Sequence, residues 1–106
     1  MNVTITQNDT KCLFTDVLQV NGVPVNLTNA TVMFVMRGVG DVGVSQAAVI
    51  TNPPGLDGQV KYQPVISDVA RSGDFKQHWR VNFGDGTTLS FPNNGYNRVT
   101  ILPDLV

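Results

Sequence analysis

Few side chains in this sequence could do chemistry, and they are scattered. Cys12 and His78 are the only thiol and the only imidazole. A nucleophilic Cys–His pair needs the imidazole within hydrogen-bond reach of the sulfur and a third group to orient it. Cys12 falls in an alternating segment and reads as a small buried hydrophobe. His78 falls on the polar face of a different strand and reads as a surface residue. One histidine also leaves no second imidazole for a metal site. Asp41, Asp57 and Asp85 lie in glycine-containing loops, where carboxylates and carbonyls can gather around calcium. Their spacing matches no calcium loop, and Asp in such turns ordinarily bonds nearby backbone amides. The glycines of Gly38-Val39-Gly40-Asp41-Val42-Gly43 are followed by no Lys-Ser/Thr and open no helix, so they form no phosphate loop. Four Asn-x-Thr sequons, at Asn2, Asn8, Asn26 and Asn29, are the chance product of a chain rich in Asn and Thr. No catalytic residue, metal ligand or cofactor is assigned, and the expectation is a protein that is not an enzyme.

The elements that would carry these residues are strands. Val, Thr, Asn and Gly are abundant, the acidic residues are all Asp, and strong helix formers are scarce. Asn2–Thr6 alternates with Val3 and Ile5 on one face. Lys11–Val20 is long enough for a strand with a bulge or bend. Asn21-Gly22 is a hairpin signal because both residues tolerate positive φ. Pro24 makes Val23–Leu27 an edge strand or an extended connection. Thr31–Met36 is an almost unbroken apolar run, suited to a strand covered on both faces or meeting a partner on its outer face. Val44–Ile50 is a weaker strand ended by Asn52-Pro53-Pro54-Gly55, and Asp57-Gly58 leads into Gln59–Gln63.

Ser67–Ser72 is the only candidate helical turn. The clearest strand follows: Phe75, Gln77, Trp79, Val81 and Phe83 alternate with Lys76, His78, Arg80 and Asn82, the period-two pattern of a half-buried strand. Gly84-Asp85-Gly86 turns into Thr87–Phe91, and Asn97–Leu102 supplies the last strand. Seven or eight short strands, with turns every 8–12 residues or so, predict an all-β, immunoglobulin-like antiparallel β-sandwich forming one domain over residues 1–106.

Composition narrows the partners. The net charge is −1 with no run of like charges, so no nucleic-acid footprint is expected. No apolar stretch approaches the roughly 20 residues of a membrane-spanning helix, and the N-terminus does not read as a signal peptide. With Cys12 alone, no internal disulfide forms, which points to synthesis in a reducing cytoplasm.

The order of these features resembles the N-terminal domain of the baseplate upper proteins of tailed bacteriophages, and related small immunoglobulin-like phage structural proteins. The nearer match is Asp9 ahead of Phe14, then Gly22-Val23-Pro24-Val25-Asn26-Leu27-Thr28-Asn29-Ala30-Thr31-Val32 leading into Phe34 and Met36. Gly58, Val60 and Tyr62, then Ser72-Gly73-Asp74-Phe75 with Trp79, then Phe91-Pro92-Asn93-Asn94-Gly95-Tyr96 before Val99 and Ile101, continue it. These motifs fix turns and a core and name no active residue. Asn29 stands where the family often has glycine, and Asn is the next best residue at positive φ. Family members often continue into receptor-binding or fibre-linking parts, whereas this chain stops after the last strand.

The resemblance implies a virion component that assembles in the host cytoplasm and docks in many copies on a capsid, tail or baseplate protein, or with copies of itself. A carbohydrate- or cell-surface-binding module, presenting Tyr96 and Tyr62, is the competing expectation; a small hydrolase built on Cys12 and His78 ranks behind both. The interface is expected at Val39, Val42, Val44, Leu89, Phe91, Tyr96, Leu102, Leu105 and Val106, apolar residues with no obvious place in the core.

Overall fold

In the computed structural model, residues 2–38, 43–92 and 95–105 are described. The strands are β1 (Asn2–Thr6), β2 (Phe14–Val17), β3 (Gln19–Val20), β4 (Val23–Pro24), β5 (Thr31–Arg37), β6 (Gly43–Ala47), β7 (Val49–Ile50), β8 (Gln59–Tyr62), β9 (Gly73–Asn82), β10 (Thr88–Phe91) and β11 (Asn97–Leu102). A 3-10 turn at Ile66–Val69 overlaps the helical turn expected at Ser67–Ser72 but ends before Ala70. The large sheet runs β1-β11-β9-β5-β6 with β10 beside β9; the small sheet runs β2-β8-β7; β3 and β4 form a short hairpin. This is the immunoglobulin arrangement, with β2, β8 and β7 in one layer and the strands flanking β9 in the other.

Local chemistry explains most boundaries. Asn21 and Gly22 both take positive φ, 52° and 80°, and join β3 to β4 as a tight hairpin. Asn29 sits at φ 61°, ahead of β5. Gly58 (φ 71°) is required by a close approach: a Cβ there would lie 2.5 Å from the Leu18 carbonyl oxygen. At the same place the Leu18 N–H donates to the Gly58 carbonyl at 2.9 Å, and the Val25 N–H donates to the Leu18 carbonyl at 2.8 Å. Leu18 is thereby pinned in the core, and the long strand expected over Lys11–Val20 is broken there into β2 and β3.

Three expectations are corrected. Val44–Ile50 is not one strand: β6 pairs with β5 in the large sheet, and after Ala48 the chain crosses to the small sheet, where β7 pairs with β8. The sandwich is not wholly antiparallel, because β1 lies parallel to β11. Cys12 lies ahead of β2 rather than in a strand; it is half-buried against the core, and burial pushes its thiol pKa up.

The core is aromatic. Phe34 of β5 is fully buried and stacks on Tyr62 of β8 (centroids 4.4 Å apart), with Phe14 of β2 at 4.9 Å and Trp79 of β9 edge-on at 5.3 Å. These rings come from both sheets and close the space between them, each pair adding directional attraction to its area burial. All four even-numbered outward residues of β9 that the alternation assigned, Lys76, His78, Arg80 and Asn82, do face out, while Phe75, Gln77, Trp79 and Val81 are buried.

Candidate docking surfaces

The most distinctive site lies on the outer face of the large sheet, beside His78. Strand β9 pairs with β5 along one side, where His78 stands opposite Val35. Along its other side, Phe91 of β10 pairs with Trp79 and Asn97 of β11 pairs with Gln77. The ladder on that side therefore skips from Phe91 to Asn97 at His78. Gly95 and Tyr96, on the returning chain, together with Val35, Arg37, Lys76 and His78, line a cavity of about 260 Å³. The Lys76 ammonium sits 4.7 Å from the centre of the Tyr96 ring, a cation–π contact.

His78 is not the freely solvated surface residue expected from its strand position. It is half-buried, and its Nε2 is shut from solvent with no hydrogen-bond partner among the described residues. Burial, and then the charges of Arg80 and Arg37, hold its pKa below the ordinary histidine range. Cys12 packs against the core between the sheets, so His78 on the outer face is no partner for it.

The same face gathers cations. Arg37 of β5 stands directly opposite Lys76 of β9, which in turn stands opposite Arg98 of β11. Arg80 lies further along β9, opposite Met33 and Ser90. All four are exposed. The carboxylate on this face, Asp74, already accepts a 2.9 Å bond from the Thr100 hydroxyl beside it.

The outer face of the small sheet differs. It presents exposed Leu13, Val17 and Val49 among Thr15, Gln59, Lys61 and Thr51, around a shallow open depression. Val20 and Val23 of the β3–β4 hairpin are exposed as well. The sequence missed this surface. Its only signal was that the segment around β2 carries apolar residues on both faces, Leu13 and Val17 outward and Phe14 and Leu18 inward.

Of the expected interface residues, Leu89, Tyr96, Leu102 and Leu105 are exposed. Phe91 and Val44 are not: they are 2% and 8% exposed and belong to the core. Phe91 pairs with inward-facing Trp79 and Val44 with inward-facing Met36, so the ladder turns both into the sandwich. Val39, Val42 and Val106 lie outside the described residues. The exposed four do not form one patch with each other: Tyr96 rims the cavity at His78, whereas Leu89 sits on β10 opposite Val81.

Two loop carboxylates serve their own turns. Asp57 accepts from the Asn52 amide (2.8 Å) and the Gln59 N–H (3.2 Å), and Asp85 from the Thr87 hydroxyl (2.6 Å) and N–H (3.0 Å). These bonds, led by the Asn52 and Thr87 side chains, hold both pKa values below the usual carboxylate range. Asp41 lies outside the described residues, and no cluster of three or more potential metal ligands occurs among those described.

Fold and surface together define a closed β-sandwich whose distinctive chemistry is on its outside. No protein-family model matches the sequence, and no curated protein is significantly similar to it.

Proposed function

We propose that this chain is a non-enzymatic structural component of a bacteriophage virion, a β-sandwich module that docks on the capsid as a decoration protein or on the tail or baseplate as an adaptor. The order of turn and core motifs, which resembles that of small phage structural domains, supports the phage assignment. The observation that carries docking is the outer face of the small sheet, where Leu13 just ahead of β2, Val17 on β2 and Val49 on β7 stand 51%, 42% and 53% exposed, with β8 running between the two strands. Large apolar side chains grouped on a rigid sheet are a surface that association would bury. Between the sheets, Phe14, Phe34, Tyr62 and Trp79 pack ring against ring.

The test is mass spectrometry of purified particles of the phage that encodes the chain. The protein is expected at a fixed copy number per particle and to leave only under denaturing conditions. Particles that lack it would overturn the reading.

A second reading, a carbohydrate- or cell-surface-binding module, is favoured by Tyr96, which is 46% exposed at the rim of a cavity. One face of its ring is already taken by Lys76, which leaves a single face for a sugar to stack on. Saturable binding on a glycan array that disappears in Tyr96→Ala would favour this reading over the first.

A further inference from the structure

The outer face of the large sheet carries an electrostatic imbalance that the chain does not resolve. Arg37, Lys76 and Arg98 form one cross-strand row, each directly opposite the next. Neighbouring strands lie about 4.8 Å apart, so the row is about 10 Å across. Like charges placed directly opposite one another destabilise a sheet, and no ion pair relieves these three among the described residues. With Arg80, the strands of this face hold four cations against the one carboxylate of Asp74, a net of +3. The whole chain totals −1, so the remainder carries −4. Beside the row lie the cavity rimmed by Tyr96 and the unpartnered Nε2 of His78.

We propose that this face docks an acidic segment of a partner protein, with a carboxylate seated among Arg37, Lys76 and His78 at the Tyr96 cavity. The proposal rests on the docking reading above and names the chemistry of the partner. Two features favour carboxylates on a polypeptide over a nucleic acid. The cations are few, whereas nucleic-acid binders commonly neutralise about 6–10 phosphates. The face also mixes its charges with apolar Met33, Val35, Leu102 and Tyr96, which suit side chains flanking a carboxylate. A bound carboxylate would offset the opposed cations. Among the described residues, the charges that act on His78 are those of Arg80 and Arg37, and Lys76 lines the same cavity, all of them cationic.

The test is a titration of the ¹⁵N-labelled full chain with an octa-aspartate peptide, against a 12-base-pair DNA duplex as the competing polyanion. Saturable shifts are expected at Arg37, Lys76, His78, Tyr96 and Arg98, weakening steeply between 50 mM and 500 mM NaCl. The His78 titration midpoint should rise in the saturated complex. The variant Arg37→Glu/Lys76→Glu/Arg98→Glu, checked for an unchanged circular dichroism spectrum and supplemented by the single Lys76→Gln should the triple variant misfold, should bind the peptide at least tenfold more weakly. Undiminished binding by these variants, shifts that map elsewhere, tighter binding of the duplex than of the peptide, or self-association through this face in the peptide's absence would each overturn the proposal. Virion binding separates the two readings. If the charge variants still load onto particles, the acidic-partner proposal fails while docking stands; if the wild-type chain never loads, docking itself fails.

Discussion

The indole Nε1 of Trp79 donates a 3.1 Å hydrogen bond to Oδ2 of Asp16, joining β9 of the large sheet to β2 of the small one. The bond ties the two sheets together through an inward-facing Asp and a fully buried Trp. Removing the acceptor leaves a buried indole N–H without a partner, at a cost of about 1–3 kcal/mol. Asp16→Ala is therefore expected to lower stability by about 2 kcal/mol in urea unfolding, and Asp16→Asn, which keeps an acceptor oxygen, by clearly less. Equal losses in the two variants would show that the carbonyl oxygen does not replace the carboxylate.

A second polar pair lies inside the same core. Asn97 Nδ2 donates to Gln77 Oε1 at 2.9 Å, while Gln77 is fully buried and its Nε2 has no partner among the described residues. Losing Asn97 takes from the fully buried Gln77 amide its hydrogen bond, whereas replacing both residues with apolar groups leaves no buried Gln amide to satisfy. Asn97→Ala and Gln77→Met should each destabilise, and the double variant should cost less than their sum, with a coupling of about 1 kcal/mol. Strict additivity in a double-mutant cycle would mean that the pair does not act as a unit.

Gly58 and Gly86 separate conformational strain from steric overlap. Both have positive φ, 71° and 90°, but a Cβ at Gly58 collides with the Leu18 and Val25 backbone whereas one at Gly86 meets nothing within 4 Å. Gly86→Ala should cost about 1 kcal/mol from the left-handed backbone alone. Gly58→Ala should cost about 3 kcal/mol, because the Leu18–Gly58 hydrogen bond must also give way. Thermal melts of the two variants measured side by side would check the ranking.

His78 gives stability a dependence on pH. Its folded pKa is below the unfolded value of 6.5, so at mildly acid pH the unfolded chain binds a proton that the folded chain refuses. Stability contributed by neutral His78 is present above the unfolded pKa and falls as pH drops below it toward the folded pKa. Asp57 and Asp85, whose folded pKa values are also lowered, lose their contribution only nearer and below the carboxylate range. Urea midpoints from pH 7.5 to 5 should therefore decline in the wild type and stay nearly flat in His78→Gln. The same slope in both proteins would remove His78 as its source.

Much of the architecture was legible because it is written in short-range rules. Period-two alternation along β9 identified the inward residues from Phe75 to Val81, and Asn21-Gly22 marked its hairpin because side-chain type restricts φ locally. Asn29 likewise occupies the positive φ anticipated for it. The candidate site was less legible. Tyr96, Leu89, Leu102 and Leu105 were named as exposed, but Val44 and Phe91 were misread because burial depends on what lies across the sandwich. Leu13, Val17 and Val49 escaped notice because apolar residues there alternate with no polar face, Leu13 and Val17 outward and Phe14 and Leu18 inward.

By itself, then, the sequence determined that this chain is a sandwich of short strands, where its tight turns fall, and which face of its longest strand is polar. Each of those depends on a residue and its near neighbours. Only the tertiary structure decided that the chain changes sheets after Ala48, that β1 runs parallel to β11, and that Arg37, Lys76 and Arg98, up to 61 positions apart in the numbering, share one row. Strand register is a long-range choice made by packing, and a charge pattern assembled across three strands leaves no trace in any one of them.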